Sequence, residues 1–432
     1  HRGVSHITFP VDYQEKEPSG TLSMHKVEGH TTNRWSPQLA IPREDELKMA
    51  AFLLNEAKRP VILVGQGALG AGDEVIEIAD RLGAPVVKAL LGKAVMPDDH
   101  PLTTGGLGLL GTAPSQEAME NCDALFIVGS SFPYMEFLPK PGQAKGVQID
   151  DRADRIGLRY PVEVGLIGDA RPTLQALTKL IERKADRSFL EQAQKGMKDW
   201  WELMKERSLR PDVPIKPQRV AWELSELADE DAILSADSGT NTIWAARQFR
   251  VKKNQKFSCS GTLATMACAL PYAIAAKVAY PDRQSIAFVG DGGFAMLMCE
   301  FLTAVKYDLP IIVVIIKNNS LGQIKWEQIV FLGNPEYGCD LHNPDFAKYA
   351  EICGGVGFTV ERPEEIRPTL ERAIASGRPA IVEVVVDPNE PPMPAKTTAT
   401  QALHFAEALA KGQPGRGKIA LTIFRDKLDE LL

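Results

Sequence analysis

Short apolar runs alternate with amphipathic stretches over most of this chain. An amphipathic helix is predicted from Glu44, leading to the strand Pro60-Val61-Ile62-Leu63-Val64-Gly65; a helix at 74–82 then precedes the strand Ala84-Pro85-Val86-Val87. Residues 124–129 and 146–150 read as further strands. A charged helical stretch at 186–210 carries Trp200 and Trp201 as packing anchors, and prolines punctuate residues 211–217. The alternation then restarts, with helices at 218–227, 263–278 and 295–307 and strands at 232–237, 285–289, 311–316 and 380–386. Such alternation predicts parallel sheets covered on both faces. The fold class is therefore α/β, with two doubly wound parallel-sheet domains at 44–184 and 218–394, a helical linker at 185–217, an opening segment at 1–43 and a tail at 395–432.

Composition narrows the function classes. A net charge of −7 with scattered basic residues gives no nucleic-acid footprint. No apolar run approaches the roughly 18 residues of a membrane span. A cytoplasmic chain is expected, with peripheral membrane contact disfavoured. The six cysteines are widely spaced, without a Cys-x-x-Cys pair or nearby histidine, so reduced core thiols are expected rather than disulfides or zinc. A strand-like run, Val4-Ser5-His6-Ile7-Thr8-Phe9-Pro10, begins directly after His1, as if continuing something longer, and a polar connector with Pro18-Ser19-Gly20 and Thr31-Thr32-Asn33-Arg34 follows. The tail ends in an apolar stretch from Ile419 to Leu432, open to reading as a lid, as subunit packing or as a surface helix.

The chemistry concentrates at strand ends. Gly290-Asp291-Gly292-Gly293 closes one strand and opens a helix, and Asn318-Asn319 stands at the end of the next strand. A carboxylate and a carboxamide at neighbouring strand ends, beside glycine amides, describe a site for Mg²⁺ on a diphosphate. Ser238-Gly239-Thr240-Asn241-Thr242 opens another helix, where hydroxyls and free amides bind phosphate or merely cap. In the first domain, Gly65-Gln66-Gly67-Ala68, Thr104-Gly105-Gly106, Gly129-Ser130-Ser131-Phe132, Asp150 and Asp169 lie at strand ends or loops, where glycine also serves ordinary turns.

Together these motifs resemble the thiamine-diphosphate enzymes of the pyruvate oxidase and acetolactate synthase superfamily. The resemblance implies thiamine diphosphate and Mg²⁺, with Asp291 as a metal ligand. Counting back from the loop-closing Gly322 gives Asn318 as the second ligand and the Ser320 carbonyl as the third; counting forward from the pair gives Asn319 instead. Asn318 is preferred, because the glycine is the harder geometric constraint. The same resemblance puts Gly239, Thr240, Asn241, Ala264, Gly290, Gly292, Gly293, Ser320, Leu321 and Gly322 at the cofactor. It makes Met266 the apolar wedge that bends the cofactor, and sets Glu327 on the substrate side as a catalytic carboxylate able to relay protons, with a solvated helix charge beside Lys325 as the other reading. For the first domain it implies FAD, contacted by Gly65, Gly67, Ala68, Thr104, Gly105, Gly106, Gly129, Ser130, Phe132, Asp150 and Asp169, although some relatives bind no flavin.

The implied activity is decarboxylation of a 2-oxo acid, with pyruvate preferred, and oxidation through FAD, as in pyruvate oxidases and quinone-linked pyruvate dehydrogenases. Gln323 stands where those enzymes carry an aromatic residue, and leaves open an acetolactate synthase-like carboligase or a non-oxidative decarboxylase. Residues 2–12 resemble the last strand of the family's amino-terminal pyrimidine-binding domain, which supplies an activating glutamate across a dimer interface. The expectation is thus a homo-oligomer, dimer or tetramer, with that domain coming from the same or a partner chain. The alternative reading is a non-catalytic cofactor-binding fragment or split subunit.

Overall fold

The structure is a computed structural model that describes residues 6–17, 39–392 and 399–431, with side chains described as far as Asp426. It divides into two units, residues 1–39 and residues 40–432. In the first, the described residues hold one short helix, Val11–Gln14, and bury nothing. Residues 6–10 form no strand, contrary to expectation. An extended run becomes a strand only when its N–H and C=O groups meet a ladder partner. The rest of that predicted strand and the polar connector at 18–38 lie outside the described residues.

The second unit contains two six-stranded parallel sheets. The first is built from β1 (Pro60–Val64), β2 (Val86–Lys88), β3 (Thr103–Gly106), β4 (Ala124–Val128), β5 (Lys145–Asp150) and β6 (Val164–Ile167), in the order β3-β2-β1-β4-β5-β6. The second contains β7 (Ile233–Ala236), β8 (Lys256–Ser258), β9 (Ser285–Gly290), β10 (Ile311–Lys317), β11 (Val356–Val360) and β12 (Ala380–Val385), in the order β11-β12-β10-β9-β7-β8. Both are doubly wound, as the alternation predicts. Every side chain of β1 and of 311–316 is buried, because helices cover both faces. Each Val, Ile or Leu so buried contributes roughly 1.5–3 kcal/mol.

Four strands escape the hydrophobic pattern, and each is an edge strand: β3, β6, β8 and β11. An edge strand has one neighbour and less cover, so it needs no continuous apolar run. Thr103-Thr104-Gly105-Gly106 reads as a loop but pairs with β2, its register shifting between Val86 and Val87. The predicted helix at 263–278 is shorter, Ala269–Ala279, and the segment before it is a turn with Ala264 and Ala267 at φ 51° and 70°. The helix expected at 295–307 begins instead at Asp291 and is broken by a 3₁₀ turn, Met298–Glu300. Between the sheets in sequence runs the helix Ser188–Leu209, whose Trp200 packs with Met197, Met204 and Trp222.

The tail forms two helices, Ala399–Ala410 and Arg416–Leu431. Ala408 and Ile419 pack on Trp326 and Ile329 of the helix Gly322–Val330, and Asp426 pairs with Arg210 at 2.7 Å. These contacts are within the chain, a fourth arrangement beside the lid, subunit packing and surface helix left open by the sequence. No helix among the described residues is long and apolar enough to cross a membrane. All six cysteines are free; Cys299 is exposed, so not every thiol is a core group as expected.

Candidate functional site

The carboxyl ends of β7, β9 and β10 lie side by side. From β7 the chain continues to β8 at the sheet edge, whereas from β9 it continues to β10 on the other side. Such a reversal opens a crevice between neighbouring strand ends. Residues 237–240 follow β7, residues 290–293 close β9, and residues 318–322 follow β10, so three of the predicted motifs meet at this crevice.

Asp291 is only 2% exposed. Its carboxylate accepts hydrogen bonds from neutral donors: Gly292 N at 2.9 Å, Asn319 N at 2.6 Å and Asn343 Nδ2 at 2.8 Å. Burial pushes its pKa up to about 6, against the opposing pull of those donors. A buried carboxylate whose hydrogen-bond donors are all neutral is short of positive charge, which suits a cation.

The two asparagines face different ways. Asn319 has φ 54°, the left-handed region that Asn tolerates; its carboxamide oxygen takes Asn343 Nδ2 at 3.0 Å. Asn318 Oδ1 accepts from Ser320 N at 3.0 Å, and its Nδ2 stands 2.9 Å from where a Cβ on Gly322 would sit, with Thr240 Oγ1 at 3.2 Å from the same point. Gly322 is thus a spacing requirement between Asn318 and Thr240. Thr240 and Asn318 line a small cavity with Trp244 and Trp326. Ser320 Oγ beside them is buried without a hydrogen-bond partner.

No group of three His, Cys, Asp or Glu side chains suited to a metal exists among the described residues. A cation at this crevice would draw on one carboxylate together with amide and peptide oxygens. Such hard oxygen donors, with waters completing the shell, fit Mg²⁺.

Asn241 braces the crevice from below, donating to Asp237 O at 2.9 Å and Phe288 O at 3.1 Å and so tying the end of β7 to β9. Gly239 adopts φ 135°, a conformation side chains avoid. Gly290 has space for a Cβ, its nearest neighbour being Asn241 Oδ1 at 3.5 Å. Around Gly292, the side chains of Leu341 and Leu321 lie at 3.0 and 3.1 Å from a hypothetical Cβ and Met266 Cε at 3.6 Å. Met266 and Leu321 therefore reach the residue next to Asp291, whereas Ala264 lies on the exposed arm of the 260–265 turn.

Glu327 is exposed on the helix Gly322–Val330, where its carboxylate accepts from Gln323 Nε2 at 3.0 Å. Lys325 of the same helix is buried instead, at 2.9 Å from Glu336. The sequence reading left Glu327 either substrate-facing or solvated, and in this chain its surface is open.

The residues assigned to a flavin line the carboxyl edge of the first sheet. Gly65, Gly67 and Ala68 follow β1, Gly129, Ser130 and Phe132 follow β4, Asp150 ends β5 and Asp169 follows β6. Gly67 N donates to Gly129 O at 2.9 Å, and a Cβ on Gly67 would stand 2.7 Å from the Gly129 Cα, so these glycines let two loops touch. Thr104 is buried within β3 with its hydroxyl 2.9 Å from Ser115 Oγ, and Gly105 and Gly106 complete that strand. Asp169 caps the helix Ala170–Thr178 through Arg171 N at 3.2 Å. Burial raises the pKa of Asp150, which accepts from Arg152 N at 3.1 Å.

Two residues at the crevice have no role in the sequence reading. Asn343 lies in a loop without periodicity, and only the fold brings it to Asp291. Asp237 had a signal that could have found it, since it directly follows an apolar strand and precedes the Ser238-Gly239-Thr240 loop.

Residues 237–384 match the family described as thiamine pyrophosphate enzyme, C-terminal TPP binding domain, and residues 47–177 match thiamine pyrophosphate enzyme, central domain. The chain is 46% identical over 370 residues to the "Putative thiamine pyrophosphate-containing protein YdaP" of Bacillus subtilis (strain 168), covering 86% of this chain and 64% of that protein. It therefore spans under two thirds of that relative's length. A "Probable acetolactate synthase large subunit" of Methanocaldococcus jannaschii is 32% identical over 434 residues, 95% of this chain and 72% of that protein. The "Pyruvate oxidase" of Lactiplantibacillus plantarum is 27% identical over 399 residues, 92% of this chain and 65% of that protein.

Proposed function

This chain belongs to the thiamine pyrophosphate enzymes, and we propose that it holds Mg²⁺ and the diphosphate of thiamine diphosphate at the ends of β7, β9 and β10, in the service of 2-oxo acid decarboxylation. The observation that carries this reading is the convergence of Asp291, Asn318 and Thr240 at one strand-order reversal. Asp291, Asn318 Oδ1 and the Ser320 carbonyl are the metal donors in this reading. Asn319 is the alternative to Asn318, but its φ of 54° and its bond to Asn343 make it a brace. Gly239, Thr240, Gly290, Leu321 and Gly322 form the cradle. Bound thiamine diphosphate supplies an electron-accepting thiazolium, and so permits loss of CO₂ from a 2-oxo acid such as pyruvate. The chain's own contribution is to hold the cation that would neutralise the diphosphate, to set Met266 against Gly292, and to keep water from the buried face of Asp291.

Two outcomes divide the family. Oxidation through FAD is supported by the row of turns along the first sheet; carbon–carbon ligation is supported by Gln323 beside Glu327 and by the likeness to an acetolactate synthase large subunit over 95% of the chain. We take Gly65, Gly67, Ala68, Gly129, Ser130, Phe132, Asp150 and Asp169 as the residues that would hold FAD, and leave out Thr104, Gly105 and Gly106 because they are committed to β3, with the Thr104 hydroxyl on Ser115. Subunit assembly, and an activating glutamate from another domain, complete the proposed site.

Titration with thiamine diphosphate and Mg²⁺, read by the fluorescence of Trp244 and Trp326, tests the binding. Saturable quenching that requires Mg²⁺ and disappears in Asp291→Asn is expected. Quenching indifferent to both would sink the reading. Pyruvate-dependent dye reduction, as against acetolactate formation, then separates the branches, and turnover by this chain alone would show that no further domain is needed.

A further inference from the structure

The carboxylate of Asp237 has no solvent exposure and no cationic partner, and lies outside the metal and diphosphate ligands proposed above. Its oxygens take backbone donors from one turn: Ala267 N at 3.0 Å on Oδ2 and Cys268 N at 2.8 Å on Oδ1, with Cys268 Sγ at 3.3 Å. On the far side the carboxylate packs against Gly293, where any Cβ would overlap Oδ2. The turn it grips is conformationally unfavourable: Ala264 and Ala267 have φ 51° and 70°, left-handed values at non-glycine residues. Such backbone persists only where its surroundings over-determine it. Residues 261–265 are exposed, Leu263 at 90%, so little packing holds that arm. Met266 sits between the exposed arm and the gripped amides, its Cε beside Gly292.

We propose that Asp237 is a positioning residue: its carboxylate locks the 264–268 turn in the left-handed backbone and thereby fixes Met266 against Gly292, next to the metal-binding carboxylate. The clamp rests on the structure alone, and its consequence for the cofactor rests on the function proposed above. An ionised carboxylate is suited to the task because it accepts on both oxygens. An asparagine presents an NH₂ toward one of the two backbone N–H groups and so loses that bond.

The test uses the full chain and Asp237→Asn. Hydrogen exchange without cofactor should show the amides of Ala267 and Cys268 opening about tenfold faster in the variant, the effect of one lost charge-assisted bond, with β9 and β10 amides unchanged. Affinity for thiamine diphosphate with Mg²⁺, read by tryptophan quenching, should fall by a similar factor. Adding Ala267→Gly, which accepts the left-handed backbone without strain, should restore part of that affinity; a residue needed only for stability would show no such rescue. If Asp237→Asn does not fold, Ala267→Gly alone decides: unchanged affinity alongside increased melting temperature supports a strained but correctly set turn, and a lost affinity overturns it. Unchanged exchange at Ala267 and Cys268 overturns the clamp. Faster exchange with unchanged affinity overturns its role toward the cofactor. If the wild-type chain does not bind thiamine diphosphate, the function reading fails, and the exchange result still decides the clamp.

Discussion

Gly293 shows how much one missing methyl group can matter. A Cβ there would overlap the buried carboxylate of Asp237, which is itself fixed by two amides and has nowhere to go. Gly293→Ala should therefore destabilise the chain by about 1–3 kcal/mol, read as a lower urea midpoint at unchanged slope. The same substitution at Gly290, whose nearest neighbour would be 3.5 Å away, should cost far less, and equal midpoints for the two would refute this account. The sequence presents both as members of one glycine-rich turn and cannot rank them. Asp291, by contrast, was legible, because its Gly-Asp-Gly turn is answered by Asn318-Asn319 at the end of the next apolar strand. Asn343 was not: it reaches Asp291 from 52 residues downstream, and no local pattern encodes that distance.

At the scale of elements, β2 and the 3₁₀ helix Leu90–Val95 carry two buried lysines that meet one aspartate. Lys88 and Lys93 both contact Asp98, whose Oδ2 also accepts from Val251 N at 2.7 Å, and Lys93 donates to Ala246 O at 2.9 Å. This cluster joins the loops of the first sheet to those of the second. Burial alone would raise the Asp98 pKa, but the two ammonium groups outweigh it and hold it below the usual range; burial lowers that of Lys88. Asp98→Ala leaves two ammonium groups uncompensated and should cost roughly 3–5 kcal/mol, whereas Lys88→Met leaves a neutral Lys93–Asp98 pair and should be near neutral or stabilising. The sign with pH follows from the depressed Asp98 value: its contribution is complete above the unfolded value and is lost as pH falls through the folded one. The gap between wild type and Asp98→Asn in urea midpoint should thus stay constant from neutral pH to about 4 and close below it. None of this was read from the sequence, since lysines within apolar surroundings look like surface residues until their partner is placed. The edge strands escaped for the opposite reason. β3 is buried but built of two Thr and two Gly, and β8 is three residues long with one of them buried, so neither presents the apolar run that marks a central strand.

Across the whole molecule, the two sheets offer two different kinds of carboxyl edge. In the second, the chemistry gathers at one reversal between β7 and β9; in the first, candidate residues run from β1 through β4 and β5 to β6, three strand spacings at roughly 4.8 Å each, or about 14 Å. A compact ligand touches one strand end or two, while an extended dinucleotide reaches all four. The loops after β1 and β4 meet at the reversal of that sheet, which suits a diphosphate at its middle, with groups extending to either side. If FAD lies along this edge, its affinity for the chain should exceed that of FMN or of ADP by at least about a hundredfold, because joining two weakly held halves makes the second contact intramolecular. Quenching of flavin fluorescence measures the first two, and competition measures the third. Equal affinities for FAD and its halves would mean a local nucleotide site rather than an extended one. No flavin binding at all would remove the oxidative branch, and leave ligation or simple decarboxylation as the work of the thiamine site.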